Sequence, residues 1–217
     1  MSYLREFPGA NMQDFLYGTD VETPGLFVDV GRSILISQSQ LTHKDREMMA
    51  AYCLSLNNAL QPINVHSRNF SLLGGERWLI QDLVRDPGYQ SIDERFRPLL
   101  CIIRKATEKA DSVTRADVEA AYEAGWNGHT IHLVATLTGF FNQMARWVNI
   151  LGMKYDEEEV QGSSEFLTTT GYQRDFDPES GEAPENPSLT DEEYKQKFPD
   201  YMSTTFSMGE QSLIQTS

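Results

Sequence analysis

Glu47 and His66 are the residues of this chain whose types and spacing suit proton transfer. A carboxylate in contact with an imidazole fixes its tautomer and raises its basicity, which is what a general acid or base needs. Glu47 lies in the helical pattern QLTHKDREMMAAYCLSLNNAL. There it shares one face with Ala51, Leu54 and Asn58 at spacings i, i+4, i+7 and i+11. His66 lies one turn past Pro62 on the next helical pattern. A short turn makes two such helices antiparallel neighbours, so Glu47 faces either His66 or a later helix. The alternative is a surface carboxylate and a core histidine satisfied by a backbone carbonyl. Spacing by itself does not separate the two.

Other chemistry-bearing residues carry less signal. HTIH places His129 and His132 at i, i+3, a spacing that can bind metal, but no conspicuous third ligand accompanies them. We expect neither a metal site nor a cofactor. Cys53 and Cys101 lie far apart within apolar helical patterns and read as buried thiols rather than a disulfide. The chain has no C-x-x-C, no G-x-S-x-G elbow and no glycine-rich phosphate loop before a helix.

The elements that must position these residues are helical, because no useful period-2 alternation occurs. Residues 1–25 read as an irregular segment punctuated by Pro8, Gly9, Gly18, Pro24 and Gly25. Leu26–Ile36 suits a short helix. Thr42 with Asp45 makes a capping box for the helix that carries Glu47. Pro62 starts the helix that carries His66, which stops at Gly74-Gly75. ERWLIQDLVRD gives a short helix, Pro98 opens another, and Thr114 with Asp117 caps a third. NGHTIHLVATLTGFFNQMARWVNILGM is the longest helical pattern and ends near Gly152.

Composition adds a charge asymmetry. The formal net charge of the 217-residue chain is −14, and from Tyr155 onward there are 15 acids against 3 bases. Residues 26–154 read as the helical core, and residues 155–217 as an acidic, largely irregular arm with a short helix at Asp191–Lys197. A nearly neutral body with an acidic arm disfavours nucleic acid and anionic membrane as partners, since both demand a basic face. No apolar run approaches the roughly 20 residues of a membrane span. The opening MSYLREFPGANMQDF lacks the pattern of a secretory leader, so we expect a cytoplasmic protein.

REMMAAYCLSLNNALQPINVH is similar to the pattern R-E-x-x-A-A-Y-x-x-x-L-N-x-C-x-x-C-x-x-V-H. Arg46, Glu47, Ala50, Ala51, Tyr52, Leu56, Asn57, Val65 and His66 match it without a gap. In AGWNGHTIHLVATLTGFFNQMARWVNILGM, the residues Gly125, Ile131, His132, Phe141, Asn142, Arg146, Leu151 and Gly152 match a second pattern. Together these ordered blocks resemble the AhpD-like, or carboxymuconolactone decarboxylase-like, superfamily, in particular its peroxidase-related branch. The resemblance covers roughly residues 26–153 and implies an all-α, AhpD-like helical domain.

The departures from the pattern bear on function. The two cysteines that exchange disulfides in redox members of the superfamily fall at Ala59 and Pro62, and Ala145 and Leu133 replace an asparagine and an aspartate. Without thiolates at 59 and 62, the thiol peroxidase mechanism is lost as written. Glu47, His66 and His132 remain. The resemblance implies them as an acid–base site, with Asn57, Asn142 and Arg146 as substrate-binding groups and His132 or Arg146 meeting a carboxylate. Carboxymuconolactone decarboxylases supply the precedent for proton transfer without the cysteine pair. The leading expectation is therefore cofactor-free acid–base chemistry on a small organic acid or lactone. A non-catalytic oligomeric binding or scaffold protein is the alternative, and peroxidase activity through Cys53 ranks third. The resemblance also implies a homo-oligomer.

Overall fold

The computed structural model describes residues 2–17 and 22–171. They form the helices α1 (Met12–Tyr17), α2 (Glu22–Ile36), α3 (His43–Leu56), α4 (Leu60–Leu72), α5 (Trp78–Arg85), α6 (Arg97–Glu108), α7 (Arg115–Glu123), α8 (Gly128–Leu151) and α9 (Glu157–Thr170). No strand occurs among the described residues. None of the helices among them is long and apolar enough to cross a membrane. The all-α class read from the sequence holds.

Helix α3 is the centre of the molecule. Every residue from Arg46 to Leu54 is buried, the state of a helix enclosed on all sides. It packs against α2, α4, α5, α6 and α8. Its start is fixed as the sequence implies. The Thr42 hydroxyl accepts from the Asp45 amide at 3.1 Å, and the Asp45 carboxylate accepts from the Thr42 amide at 2.9 Å.

Arg46, fully buried, ties α3 to the connection before it. Its guanidinium donates to the carbonyls of Ile34, Ser37 and Leu41 and to the hydroxyls of Ser37 and Ser39. Burial lowers its pKa to about 10, with Asp45 acting in the opposite direction, so it stays charged at neutral pH.

Three residues turn α3 into α4. Asn58 adopts a left-handed conformation (φ 53°) that asparagine tolerates better than most residues. Helix α4 begins at Leu60, two residues before Pro62. The proline therefore occupies the first turn, where its missing N–H is not needed. On α8, buried Leu133, Val134, Leu137, Phe140, Phe141, Met144, Ala145 and Val148 form one stripe facing the core. Gly152 closes α8 in the left-handed conformation (φ 67°).

Both flanks of the expected core require correction. Residues 1–25 are not wholly irregular, since α1 lies within them and α2 begins at Glu22. Pro24 is compatible with this because it falls in the first turn of α2.

The segment after Tyr155 does not leave the body at once, because α9 packs against α4. Asp156 caps it, accepting from the Glu159 amide at 2.9 Å, and Glu157, Glu158 and Glu159 place negative charge at its positive end. Val160 and Ser164, one turn apart, are its buried contacts. Asp156 and Glu157 to Glu159, which read as the start of an arm, thus serve as a helix start. The expected helix at Asp191–Lys197 lies outside the described residues.

Candidate functional site

The turn at residues 57–59 folds α4 back along α3 and brings Glu47 and His66 together. His66 Nδ1 lies 2.6 Å from Glu47 Oε2. The other carboxylate oxygen meets His43 Nε2 at 2.9 Å and accepts from Asn69 Nδ2 at 3.2 Å. Asn69 is in turn held by α9, whose Ser164 hydroxyl donates to Asn69 Oδ1 at 2.5 Å. Glu47 is wholly buried and His66 is 4% exposed.

Burial pushes the Glu47 carboxyl pKa up. The adjacent His66 and the hydrogen bonds from His43 and His66 more than offset this and hold it at about 2, so the group is an anion at neutral pH. A carboxylate accepts hydrogen bonds, and His66 therefore presents Nδ1–H to it. That leaves Nε2 as the ring nitrogen not engaged by the carboxylate. The edge-on packing of His66 and Phe141, with centroids 4.8 Å apart, steadies the ring.

His66 forms part of the wall of a cavity of about 80 Å³. Met12 and Leu16 of α1, Phe27, Val28, Gly31 and Leu35 of α2, and Phe140, Phe141 and Met144 of α8 line it. Pro62 and Val65 of α4 and Ser163, Phe166 and Leu167 of α9 complete the wall. Helices α1 and α9, which the sequence concealed, therefore supply part of this cavity's wall. Of the two positions where sulfurs would be expected, Pro62 stands at the cavity wall, whereas Ala59 is buried at the start of α4.

The other expected site residues do not converge here. His132 is exposed on α8, one residue off the buried stripe, and is not part of the cavity wall. Asn57, Asn142 and Arg146 do come together, but in a separate network. Asn57 Nδ2 donates to Asn142 Oδ1 at 3.0 Å, and Arg146 Nη1 donates to the same oxygen at 3.0 Å. Asn142 Nδ2 donates to Thr107 Oγ1 at 3.0 Å and to the Thr138 carbonyl at 2.9 Å. These bonds join α3, α6 and α8, and their position accounts for them as interhelical ties.

Cys53 belongs to the same network, with Sγ 3.5 Å from both Thr107 Oγ1 and Asn142 Nδ2. Burial raises its pKa to about 11 against the opposing effects of the Thr107 hydrogen bond and the Arg146 charge. The thiolate that would attack a peroxide is thus suppressed at neutral pH. Among the described residues, no group of three or more metal-ligating side chains is arranged to hold a metal ion.

Sequence reasoning missed His43, Asn69 and Ser164. The first two were legible in principle. His43 precedes Glu47 by four residues and Asn69 follows His66 by three, so each shares a helical face with a dyad member. Nothing in the spacing points to Ser164, which arrives from a helix 95 residues away from its partner in sequence.

The fold is similar to that of an uncharacterized peroxidase-related protein from Silicibacter sp. TM1040. The match has 25% identity and a TM-score of 0.59, covering 68% of this chain and 82% of that one. It is also similar to an uncharacterized peroxidase-related protein from Ralstonia eutropha JMP134, described as an alkylhydroperoxidase AhpD core. That match has 21% identity and a TM-score of 0.59, covering 66% of this chain and 75% of that one. The chain has the AhpD-like, peroxidase-related architecture, in agreement with the sequence resemblance. No protein-family model matches the chain. No curated protein matches it.

Proposed function

We propose that this protein performs cofactor-free acid–base chemistry on a small organic molecule, with His66 as the proton-transferring group and Glu47 as its orienting partner. The observation that carries this reading is the 2.6 Å Glu47–His66 contact at the wall of the cavity. His66 holds Nδ1–H against Glu47 and takes a proton at Nε2. The imidazolium that forms is stabilised by the buried carboxylate and returns the proton to the product.

On a lactone, His66 deprotonates a water as its oxygen bonds to the carbonyl carbon. The ring C–O bond then breaks, and the departing alkoxide receives the proton. On a ketone, the same base removes a proton from the carbon beside the carbonyl and returns it.

The test is proton exchange and ring opening followed by NMR in D2O with a panel of small ketones and lactones. Wild-type protein should catalyse at least one of these reactions, and His66→Gln should lose about 100-fold or more, the low end of what general acid–base catalysis contributes. No reaction above buffer, or equal rates in the variant, overturns the proposal.

Singly exposed apolar side chains such as Ile150 on α8 (74% exposed) and Trp78 on α5 (54% exposed) are ordinary, so the homo-oligomer rests on the resemblance alone. Association of copies is compatible with acid–base chemistry, and light scattering on the intact chain measures it directly.

A further inference from the structure

The cavity in front of His66 constrains what it accepts in both charge and size. Among the described residues that line it, only His66 and Ser163 bring polar side chains, and none brings a charge. Four of the others are phenylalanines: Phe27, Phe140, Phe141 and Phe166. The charge adjoining the cavity is negative, since the ionised Glu47 sits directly behind the His66 ring.

A carboxylate placed at Nε2 would put a second anion across one imidazole from the first. It would lose its water shell with no charged partner of its own among the described lining residues, and burying a charge without a dedicated partner is costly. Neither expected carboxylate-binding residue remedies this. His132 and Arg146 are both exposed on α8, and neither belongs to the cavity wall.

Size follows from the volume. A cavity of about 80 Å³ is several times the roughly 10–15 Å³ that one water needs, so it admits an organic molecule of at least about five non-hydrogen atoms. Polarity follows from the geometry of His66. Its Nε2 accepts from a hydroxyl when the ring is neutral and donates to a carbonyl oxygen when the ring is protonated.

We infer that the ligand of this cavity is an electrically neutral, largely apolar molecule of that size with one hydroxyl or carbonyl oxygen directed at His66 Nε2, and not a carboxylic acid. This deepens the acid–base reading of the same site and rests on it for the role of His66. It removes carboxylic acids from the class that the resemblance implies and leaves neutral lactones and ketones as substrates, with alcohols as ligands only.

The test is a binding measurement that does not depend on turnover. The full chain, labelled with ¹³C at the methionine methyls, is titrated at pH 7.5 with cyclohexanone, cyclohexanol and pentanoate. Met12 and Met144 line the cavity, whereas Met48, Met49 and Met153 do not and serve as internal controls. The two neutral ligands should move the Met12 and Met144 methyls saturably and leave the controls in place. Pentanoate should bind at least tenfold more weakly.

Equal or tighter binding of pentanoate, no saturable shift with either neutral ligand, or shifts spread evenly over all the methionines overturns the inference. Neutral binding without any exchange or ring opening supports the inference while removing the acid–base reading. His66-dependent turnover of an anion that outcompetes the neutral ligands does the reverse.

Discussion

Replacing Glu47 with glutamine separates the roles of its charge and its shape. Glu47→Gln keeps the volume but substitutes an NH2 group for one of two oxygens that meet donors from His43, His66 and Asn69. One donor then faces another donor in a wholly buried site. Removing one partner from a buried charged network costs about 3–5 kcal/mol.

The pH dependence of that loss is specific. The carboxyl is lowered in the folded state from 4.5 to about 2. Its charge therefore stabilises the fold fully above pH 4.5, and this contribution fades as pH falls toward 2. From that shift, on the order of 2 kcal/mol of the stability difference between wild type and variant disappears between pH 5 and pH 3. Urea denaturation of both proteins at the two pH values measures the gap, and other carboxylates, common to both, cancel in the difference. A gap that stays constant or widens toward pH 3 would refute the claim that Glu47 is a buried, ionised hydrogen-bond acceptor.

Further outcomes follow from the surrounding geometry. Cys53 in the folded protein should resist thiol-specific reagents at pH 8, and peroxide turnover with a thiol reductant should be absent and unchanged by Cys53→Ser. Rapid labelling, or turnover abolished by that substitution, would contradict the buried, protonated thiol. Ser164→Ala leaves Asn69 Oδ1 without its donor from α9 and should cost about 1–3 kcal/mol in urea unfolding, with faster hydrogen exchange concentrated in α9. A loss below about 0.3 kcal/mol would mean that α9 is not fastened through Asn69. His132→Ala should leave the cyclohexanone shifts at Met12 and Met144 unchanged, and a tenfold weakening would return His132 to the cavity.

The positions of Glu47 and His66 were legible in the sequence because their separation is set by rules that act locally. The Thr42–Asp45 box fixes where α3 begins, and Pro62 restricts where α4 begins. The short turn between them makes the two helices antiparallel neighbours, but the contact itself was not legible, since Glu47 could equally face a later helix. His132 was misplaced although the signal was present. Leu133, Val134, Leu137, Phe140, Phe141 and Met144 define the buried stripe of α8, and His132 falls beside it, on the outward face that also carries Gly139, Gln143 and Arg146.

The cavity itself was less legible. Its walls come from α1, α2, α4, α8 and α9, so it depends on tertiary contacts that no local period encodes. Helix α9 was concealed for a further reason. One of its key buried contacts is Ser164, a residue type that usually marks a surface, and its acidic first turn has the composition of a solvated arm. The helix dipole and the Asp156 cap make that composition favourable for a helix start.

The most direct test of the account compares wild type and His66→Gln on one neutral ketone or lactone that saturates the cavity, with the dissociation constant and the first-order rate of the bound complex measured separately. If His66 transfers the proton, the rate falls about 100-fold or more while the dissociation constant changes by no more than about tenfold, since a single hydrogen bond to a neutral ligand contributes about 0.5–1.5 kcal/mol to binding. Equal rates in the two proteins, or a loss confined to binding, would contradict it.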